Sequence, residues 1–425
     1  MNSAYMSKGV NQAVPEGLES RHSAHDVIVS RTRREILPTG NSQAVGENAT
    51  INFQIASNWM DAKTAVLHAK VTVPTLTGSK VSVPKGDFTA LFRSCLLEVK
   101  GQSLLEGNNE IDVYNALKQR LYEAPGTRVG CDQMDCGAWE TATASSNYIY
   151  NSGRKQTING VESMVYEIAL PLSRLVDFYG LSRSYLPIFA IPQLLRLTTS
   201  TAQRAFFSDA SGVTGAFKLE DVRIECDMLT LSDDVNAAFR ELVMASSVSF
   251  HYPAHFCVKE GGTNSQIVSF KTNINASCLN NMLLYLAKET PSDGTDMSPF
   301  ASYTGVDVQN ANIGEWAVYI DSRNVFSTPI RNAASLFNEL KKTVLNMNDR
   351  ERNEVPAISA AGWLEAGGHN YQAANHFRDY NCLVYPVALQ REQKEDSISG
   401  VNTALTGGNI SVQLTTGVDK FNSHI

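Results

Sequence analysis

Two short constellations in this chain carry residue types that chemistry needs: His251-Tyr-Pro-Ala-His255 and Cys131-Asp-Gln-Met-Asp-Cys136. On an extended strand the two histidines, four positions apart, share a face and could hold one metal ion. Pro253 between them marks an edge or a bulge instead, and no acidic residue adjoins the pair. Both are therefore expected to be ordinary, partly buried histidines. The cysteine pair brackets two acids, as a metal loop would, but a zinc site needs four good ligands and usually a second pair. The pair reads as free thiols in a loop, able to close a small disulfide under oxidation. The remaining histidines, His22, His25, His68, His369, His376 and His424, form no His-x-His pair. There is no glycine-rich phosphate loop, no G-x-S-x-G elbow and no H-E-x-x-H helix. Carboxylate pairs such as Asp233-Asp234 are explained by helix capping. No catalytic, cofactor-binding or metal residue is assigned, and the chain is expected not to be an enzyme.

Of 425 residues, 43% are hydrophobic and 19% charged, so a core forms easily and wholesale disorder is excluded. The net charge of -7 argues against a dedicated nucleic-acid binder, which needs a clustered basic surface. One dense basic run, Arg31, Arg33 and Arg34, lies in a polar N-terminal segment. It reads as a solvated arm, with an arm facing a packaged genome or an inner membrane as the sharper alternative. Seven scattered cysteines do not resemble a disulfide framework and are expected to be reduced. Residues 1 to 14 contain no signal-peptide core, and no window approaches the ~18 apolar residues that span a bilayer. Synthesis in the cytoplasm is expected.

The elements that must position these residues are mostly strands. Residues 1–44 are expected to be an arm, with only Val27–Ser30 strand-like. Ile51–Ala56, Thr64–Val73 and Phe92–Val99 alternate or run apolar as strands do. Ile111, Val113, Tyr114, Leu117 and Leu121 then recur at helical spacing before Pro125. Residues 124–162 look like a surface insertion. Strands resume at Val165–Leu170, Ile188–Thr198 and Phe217–Leu231, with a short helix near Ser173–Tyr179. Ser232-Asp233-Asp234 caps a helix over Val235–Met244. Its residues Val235, Ala238, Phe239 and Leu242 share one face, expected to pack between two domains.

The order of events then repeats. Strands are predicted at Val248–Val258, Gln266–Ile274, Met282–Ala287 and Trp316–Ile320, a helix at Ala333–Leu345, and strands at Tyr380–Leu389 and Ile410–Thr415. In each half a helix and a long loop precede an apolar strand, VYEIALPL or NCLVYPVAL, and QLLRLTTS or ISVQLTTG follows. That is duplication of a domain-sized unit. The fold class expected is mainly β: two tandem eight-stranded, or nearly eight-stranded, antiparallel jelly rolls joined by a helix. The boundaries are 1–44 for the arm, 45–232 for the first roll, 233–246 for the helix and 247–425 for the second roll. Nothing after Thr415 matches the long strand Phe217–Leu231, so the second roll's last strand is expected to start near Phe421 or to be truncated.

Tyr166-Glu167-Ile168-Ala169-Leu170-Pro171-Leu172, a short helix and then Leu186-Pro187-Ile188 resemble a block in the double jelly-roll major capsid proteins of Polintons (Mavericks), Polinton-like viruses, adintoviruses and virophages. There the block closes the first roll. Phe217–Phe239 looks like the same family's last strand of the first roll running into the inter-roll helix. Tyr385-Pro386-Val387 and Ser399-Gly400-Val401 resemble its second-roll strand and the loop behind it. The resemblance covers most of the chain from about residue 45, and the long tower insertions of the large-virus members are missing.

The resemblance implies a structural protein of a virion. Homotrimers of pseudo-sixfold outline would tile an icosahedral lattice beside penton and minor or cement capsid proteins, with the arm in weak contact with genome or inner membrane. It implies no cofactor and no small-molecule substrate. The competing expectation is a tandem β-sandwich that binds carbohydrate or a receptor, with Trp59, Trp139, Trp316 and Trp363 as candidate platforms and Trp316 already expected in a core. A jelly-roll hydrolase is the third reading, since a sandwich enzyme needs only two or three residues brought together in space.

Overall fold

The structure is a computed structural model that describes residues 28–40, 44–56, 59–74, 82–84, 88–99, 102–108, 110–112, 114–115, 153–180, 185–208, 216–245, 255, 257–258, 267–276, 278–285, 313–347, 384–389, 400–405 and 407–416. They fall into two compact units, with Cys257 in the first and Val258 in the second. The first unit holds β1 (Ile28–Ile36), β2 (Ala44–Val45), β3 (Thr50–Ile55), β4 (Trp59–Pro74), β5 (Ser82–Pro84), β6 (Phe92–Val99), β7 (Gln102–Asn108), β8 (Gly153–Ile158), β9 (Val161–Pro171), β10 (Tyr185–Pro187), β11 (Gln193–Thr199), β12 (Phe206–Ser208) and β13 (Lys218–Leu231). Helix α1 (Asp233–Ala245) follows directly.

Two antiparallel sheets carry this unit, in the orders β1-β13-β4-β9-β8 and β3-β11-β6-β7. Along the chain the principal strands are β1, β3, β4, β6, β7, β9, β11 and β13. First pairs with last (β1 with β13), second with seventh (β3 with β11), third with sixth (β4 with β9), and fourth with fifth (β6 with β7). One long hairpin wrapped into two sheets is a jelly roll. Period-two patterning drives it: β4 buries Ala65, Leu67, Ala69, Val71 and Val73, while Val66, His68, Lys70 and Thr72 are only half-buried. Phe53, Phe88, Phe92, Tyr166, Phe206 and Phe217 fill the space between the sheets. Asn159 and Gly160, at φ of 51° and 79°, make the tight turn from β8 to β9 with the two left-handed residues a two-residue hairpin requires.

The second unit repeats the plan. Its strands are β14 (Ile267–Asn273), β15 (Asn281–Tyr285), β16 (Ile313–Ile320), β17 (Arg323–Asn324), β18 (Val384–Ala388) and β19 (Asn409–Thr416), with helix α2 (Ala333–Met347) between β17 and β18. Their orders are β14-β19-β16-β17 and β15-β18. These are the places of the second, seventh, fourth and fifth strands, and of the third and sixth. β18 therefore stands where β9 does and β19 where β11 does, matching NCLVYPVAL to VYEIALPL and ISVQLTTG to QLLRLTTS. Trp316, Ala317, Val318, Tyr385, Val387, Val412 and Leu414 are buried.

Three differences from the sequence reading stand out. The expected arm contains the roll's first strand: Ile28–Ile36 pairs along its length with β13, so the roll begins before residue 45. Only its first residues, within Val27–Ser30, read as strand-like, because seven of the nine are exposed. The strand expected at Ile188–Thr198 starts only at Gln193, because a turn at Ile188–Ala190 and Pro192 precede it. The start expected for the second roll at 247 also moves, since His255 and Cys257 belong to the first unit. Of the strand predicted at Val248–Val258, residues 255, 257 and 258 are described and carry no strand assignment. His251, Cys131, Cys136, Trp139, Trp363, the end of the predicted helix near Leu121, the loop core at 124–152 and the segment from Phe421 lie outside the described residues.

Candidate functional site

Three side-chain assemblies are candidates for function, all in the first unit. The first joins α1 to the end of the roll. Ser232 begins the helix, with Asn236 N–H donating to its carbonyl at 3.0 Å, and Asp233 and Asp234 in the first turn suit the helix dipole. Phe239 is buried against Trp59, Leu229 and Leu231, with Val235, Ile28, Tyr185 and Phe189 packed around them. Trp59 meets Phe239 edge-on at 4.5 Å and Phe189 at 5.6 Å between ring centroids. Its indole N–H donates to Asn236 Oδ1 at 2.7 Å, and Asn236 Nδ2 donates to the Leu231 carbonyl at 3.1 Å. Arg240 lies over the Phe189 ring, 5.5 Å from its centroid. The four-residue face predicted on this helix narrows to two: Phe239 is buried and Val235 half-buried, whereas Ala238 is exposed and Leu242 is 43% exposed. At about 100° per residue Ala238 lies about 60° from Val235 and about 100° from Phe239, off the Trp59 floor, whereas Leu242 lies within about 60° of both but nearly a turn farther along the helix. The partners Phe239 has in this cluster all belong to the first unit.

The second assembly is a charged lattice on one face of the first sheet. Arg31 reaches Asp227, with Nε donating at 2.6 Å, and lies 3.5 Å from Asp61. Arg33 pairs with Glu225. Arg223 bridges Glu225 at 3.0 Å and Glu35 at 3.7 Å, and His68 lies 3.5 Å from Glu225. Burial pushes the Glu225 carboxyl up, but hydrogen bonds and charge from Arg223, His68 and Arg33 outweigh it and hold the group below the usual carboxylate range. Burial draws the His68 imidazole below its ordinary range, opposed by Glu225 and assisted by Arg223 and Arg33. Arg31 and Arg33 are thus paired with acids of their own sheet. The signal was present in sequence. Arg31, Arg33 and Glu35 alternate at period two, and so do Arg223, Glu225 and Asp227, as two complementary strands would.

The third assembly is centred on His255. Its Nδ1 pairs with Asp177, and its Nε2 is 2.6 Å from the Tyr114 hydroxyl. With Nδ1–H donating to the carboxylate, Nε2 accepts from Tyr114. This relay fastens the segment that follows α1 to two helical turns of the first unit, one at Tyr114 and one at Asp177–Gly180. Asp177 and Tyr114 were missed in sequence because they lie far from His255 along the chain. A neighbouring clamp holds Arg204 against Asp112, at 2.5 Å from Nε and 2.9 Å from Nη2, and against Glu110. Among the described residues no group of three or more His, Cys, Asp or Glu side chains could hold a metal ion. Trp59 and Trp316 are 2% and 1% exposed, so neither can serve as the glycan platform that the carbohydrate-binding reading needs. No described helix is long and apolar enough to cross a membrane.

A first unit wired as a jelly roll, a helix anchored to its end and a second unit wired in the same order define the double jelly-roll fold of viral major capsid proteins. No protein-family model and no curated protein matches the chain. Solved structures do. The Faustovirus major capsid protein is similar at 9% identity, over 95% of this chain and 89% of that one, with a TM-score of 0.53. The mavirus major capsid protein is similar at 10% identity, over 96% and 89%, with a TM-score of 0.53. VP54 of PBCV-1, in a crystal structure fitted into a reconstruction of the virophage Sputnik, is similar at 14% identity, over 93% and 87%, with a TM-score of 0.54.

Proposed function

We propose that this chain is the major capsid protein of a small DNA virus or virus-like element of the Polinton-like and virophage kind, resident in the virion shell. The observation that carries the reading is the repeated strand order: two units of one chain wired to the same plan, as in capsid proteins matched along nearly their whole length. Such a chain offers a shell two similar building blocks, so three copies present six and fill a hexagonal outline. The work is association, with no bond made or broken. Homotrimers then tile an icosahedral lattice, with penton and minor or cement capsid proteins as further partners. Obligate contacts of this kind bury well over ~2,000 Å² and are largely apolar. Phe239 and Val235 support the reading in another way: they fix the connecting helix to the first roll.

Sedimentation and negative-stain electron microscopy of the purified chain test this directly. Trimers or larger shells are expected. A stable monomer at micromolar concentration overturns the reading, and a monomer that also retains glycans on an array would return the tandem-sandwich binder to first place.

A further inference from the structure

We infer that β1 is an exchangeable strand, and that the edge of β13 is an acid-lined slot that accepts the β1 of a second copy of this chain as readily as its own. The inference rests on the capsid reading, because it needs neighbouring copies held close together.

Four observations carry it. Among the described residues β1 is the terminal strand of its sheet, paired to β13 alone. None of its residues is fully buried: seven of nine are exposed, with only Ile28 and Ile36 half-buried at the ends. What holds it is a backbone ladder running from Ile28↔Leu231 to Ile36↔Ile224, side-chain charge, and the two end residues, Ile28 packed against the Trp59–Phe239 cluster and Ile36 against the main core. The slot offers Asp227, Asp61 and Glu225, and the strand offers Arg31 to the first two and Arg33 to the third. That complementarity names the occupant: an extended basic strand with Arg at alternate positions, which this chain itself supplies. Finally, the strand's root is fixed while the strand is not. Thr39 N–H donates to the Asn52 carbonyl at 2.8 Å, and Pro38 is buried. Leu37, 52% exposed, is left between a pinned root and an ion-held strand as the hinge.

A strand held by charge, a ladder and two half-buried end residues has little apolar surface to expose and leaves its slot at less cost than a core strand. Its contacts in a neighbour are identical to those at home, so exchange is set by proximity, and copies packed in a shell reach millimolar effective concentrations. Adding a strand to a sheet edge is a recurring way of joining chains.

The test uses Ser30 and Thr230, which face each other across the ladder, are both exposed and take no part in the charged lattice. The full-length Ser30→Cys/Thr230→Cys protein is made in unlabelled and 15N-labelled form, mixed in equal amounts before assembly, assembled, oxidised and digested. Disulfide-linked peptides joining residue 30 to residue 230 are then weighed. Exchange predicts mixed light–heavy links of about a quarter of the total where home and one neighbouring slot are taken equally, rising towards about half where every strand is swapped, and their loss when Arg31→Ala/Arg33→Ala is added. Links confined to one label in assembled particles overturn the exchange and leave the capsid reading intact. Sedimentation of the same sample reads that separately. A protein that stays monomeric and forms only same-label links overturns both.

Discussion

β1 and β13 lie side by side in one sheet, share a full ladder and are held by opposite means. β13 buries eight of its fourteen residues and runs through the middle of the sheet between β1 and β4. β1 buries none fully and contributes arginines. A strand can therefore belong to a fold without adding to its hydrophobic core, provided its neighbour carries matching charge and it sits at an edge, where water satisfies what the ladder does not. Apolar packing gives β13 a place it cannot leave; charge gives β1 one it can.

Substitutions should separate the two regimes. The largest effect is expected just beyond the end of β13, where Phe239→Ala empties the pocket formed by Trp59, Leu229 and Leu231 and should lower unfolding free energy by about 3–5 kcal/mol. Leu242→Ala on the same helix should stay within about 0.5 kcal/mol, and similar urea midpoints for the two variants would show that α1 is not anchored as described. Within the strands, Ile224→Val should cost about 0.5–1.5 kcal/mol, whereas Val29→Ala, at a residue 67% exposed, should change the midpoint little. Arg33→Ala should cost about 0.2–1 kcal/mol at low salt, and the difference should fade near ~1 M salt as the pair is screened. A loss that persists at high salt would mean that Arg33 acts through packing. The gentlest effect is expected from pH. His68 titrates below its ordinary range in the folded chain, so stability is complete above that range and falls as acid protonates the unfolded imidazole first. Glu225 titrates below its ordinary range too, so its contribution persists above the usual carboxylate range and is lost as pH drops through its lowered value. Replacing His68 with Gln should remove the first decline in the urea midpoint and keep the second.

The buried part of the fold was legible in sequence because apolar periodicity reports it directly. Leu67, Ala69, Val71 and Val73, or Trp316, Val318 and Ile320, alternate as half-buried strands must. The matched order of VYEIALPL with QLLRLTTS and of NCLVYPVAL with ISVQLTTG paired equivalent strands of the two units, β9 with β18 and β11 with β19. What escaped was held by polar contacts. IVSRTRREI carries no apolar stripe, so its strand nature shows only against Arg223, Glu225 and Asp227, nearly two hundred residues away. The His255 relay escaped for the same reason: Asp177 and Tyr114 become neighbours only when the first unit is folded. The narrowed face of α1 reflects angle at Ala238 and length at Leu242, since four apolar residues on a helix do not say how wide or how long the floor beneath them is.

Pairing the first strand with the eighth also sets a schedule for synthesis. Arg31 and its partner Asp227 are 196 residues apart, and at about 5–20 residues per second the earlier one waits roughly 10 to 40 seconds for the later to be made. A nascent chain holding a bare apolar strand for so long would invite capture by other chains or by chaperones. A strand written as alternating arginines waits in water without harm, so the charge that later latches β1 to its sheet also keeps it out of trouble on the ribosome.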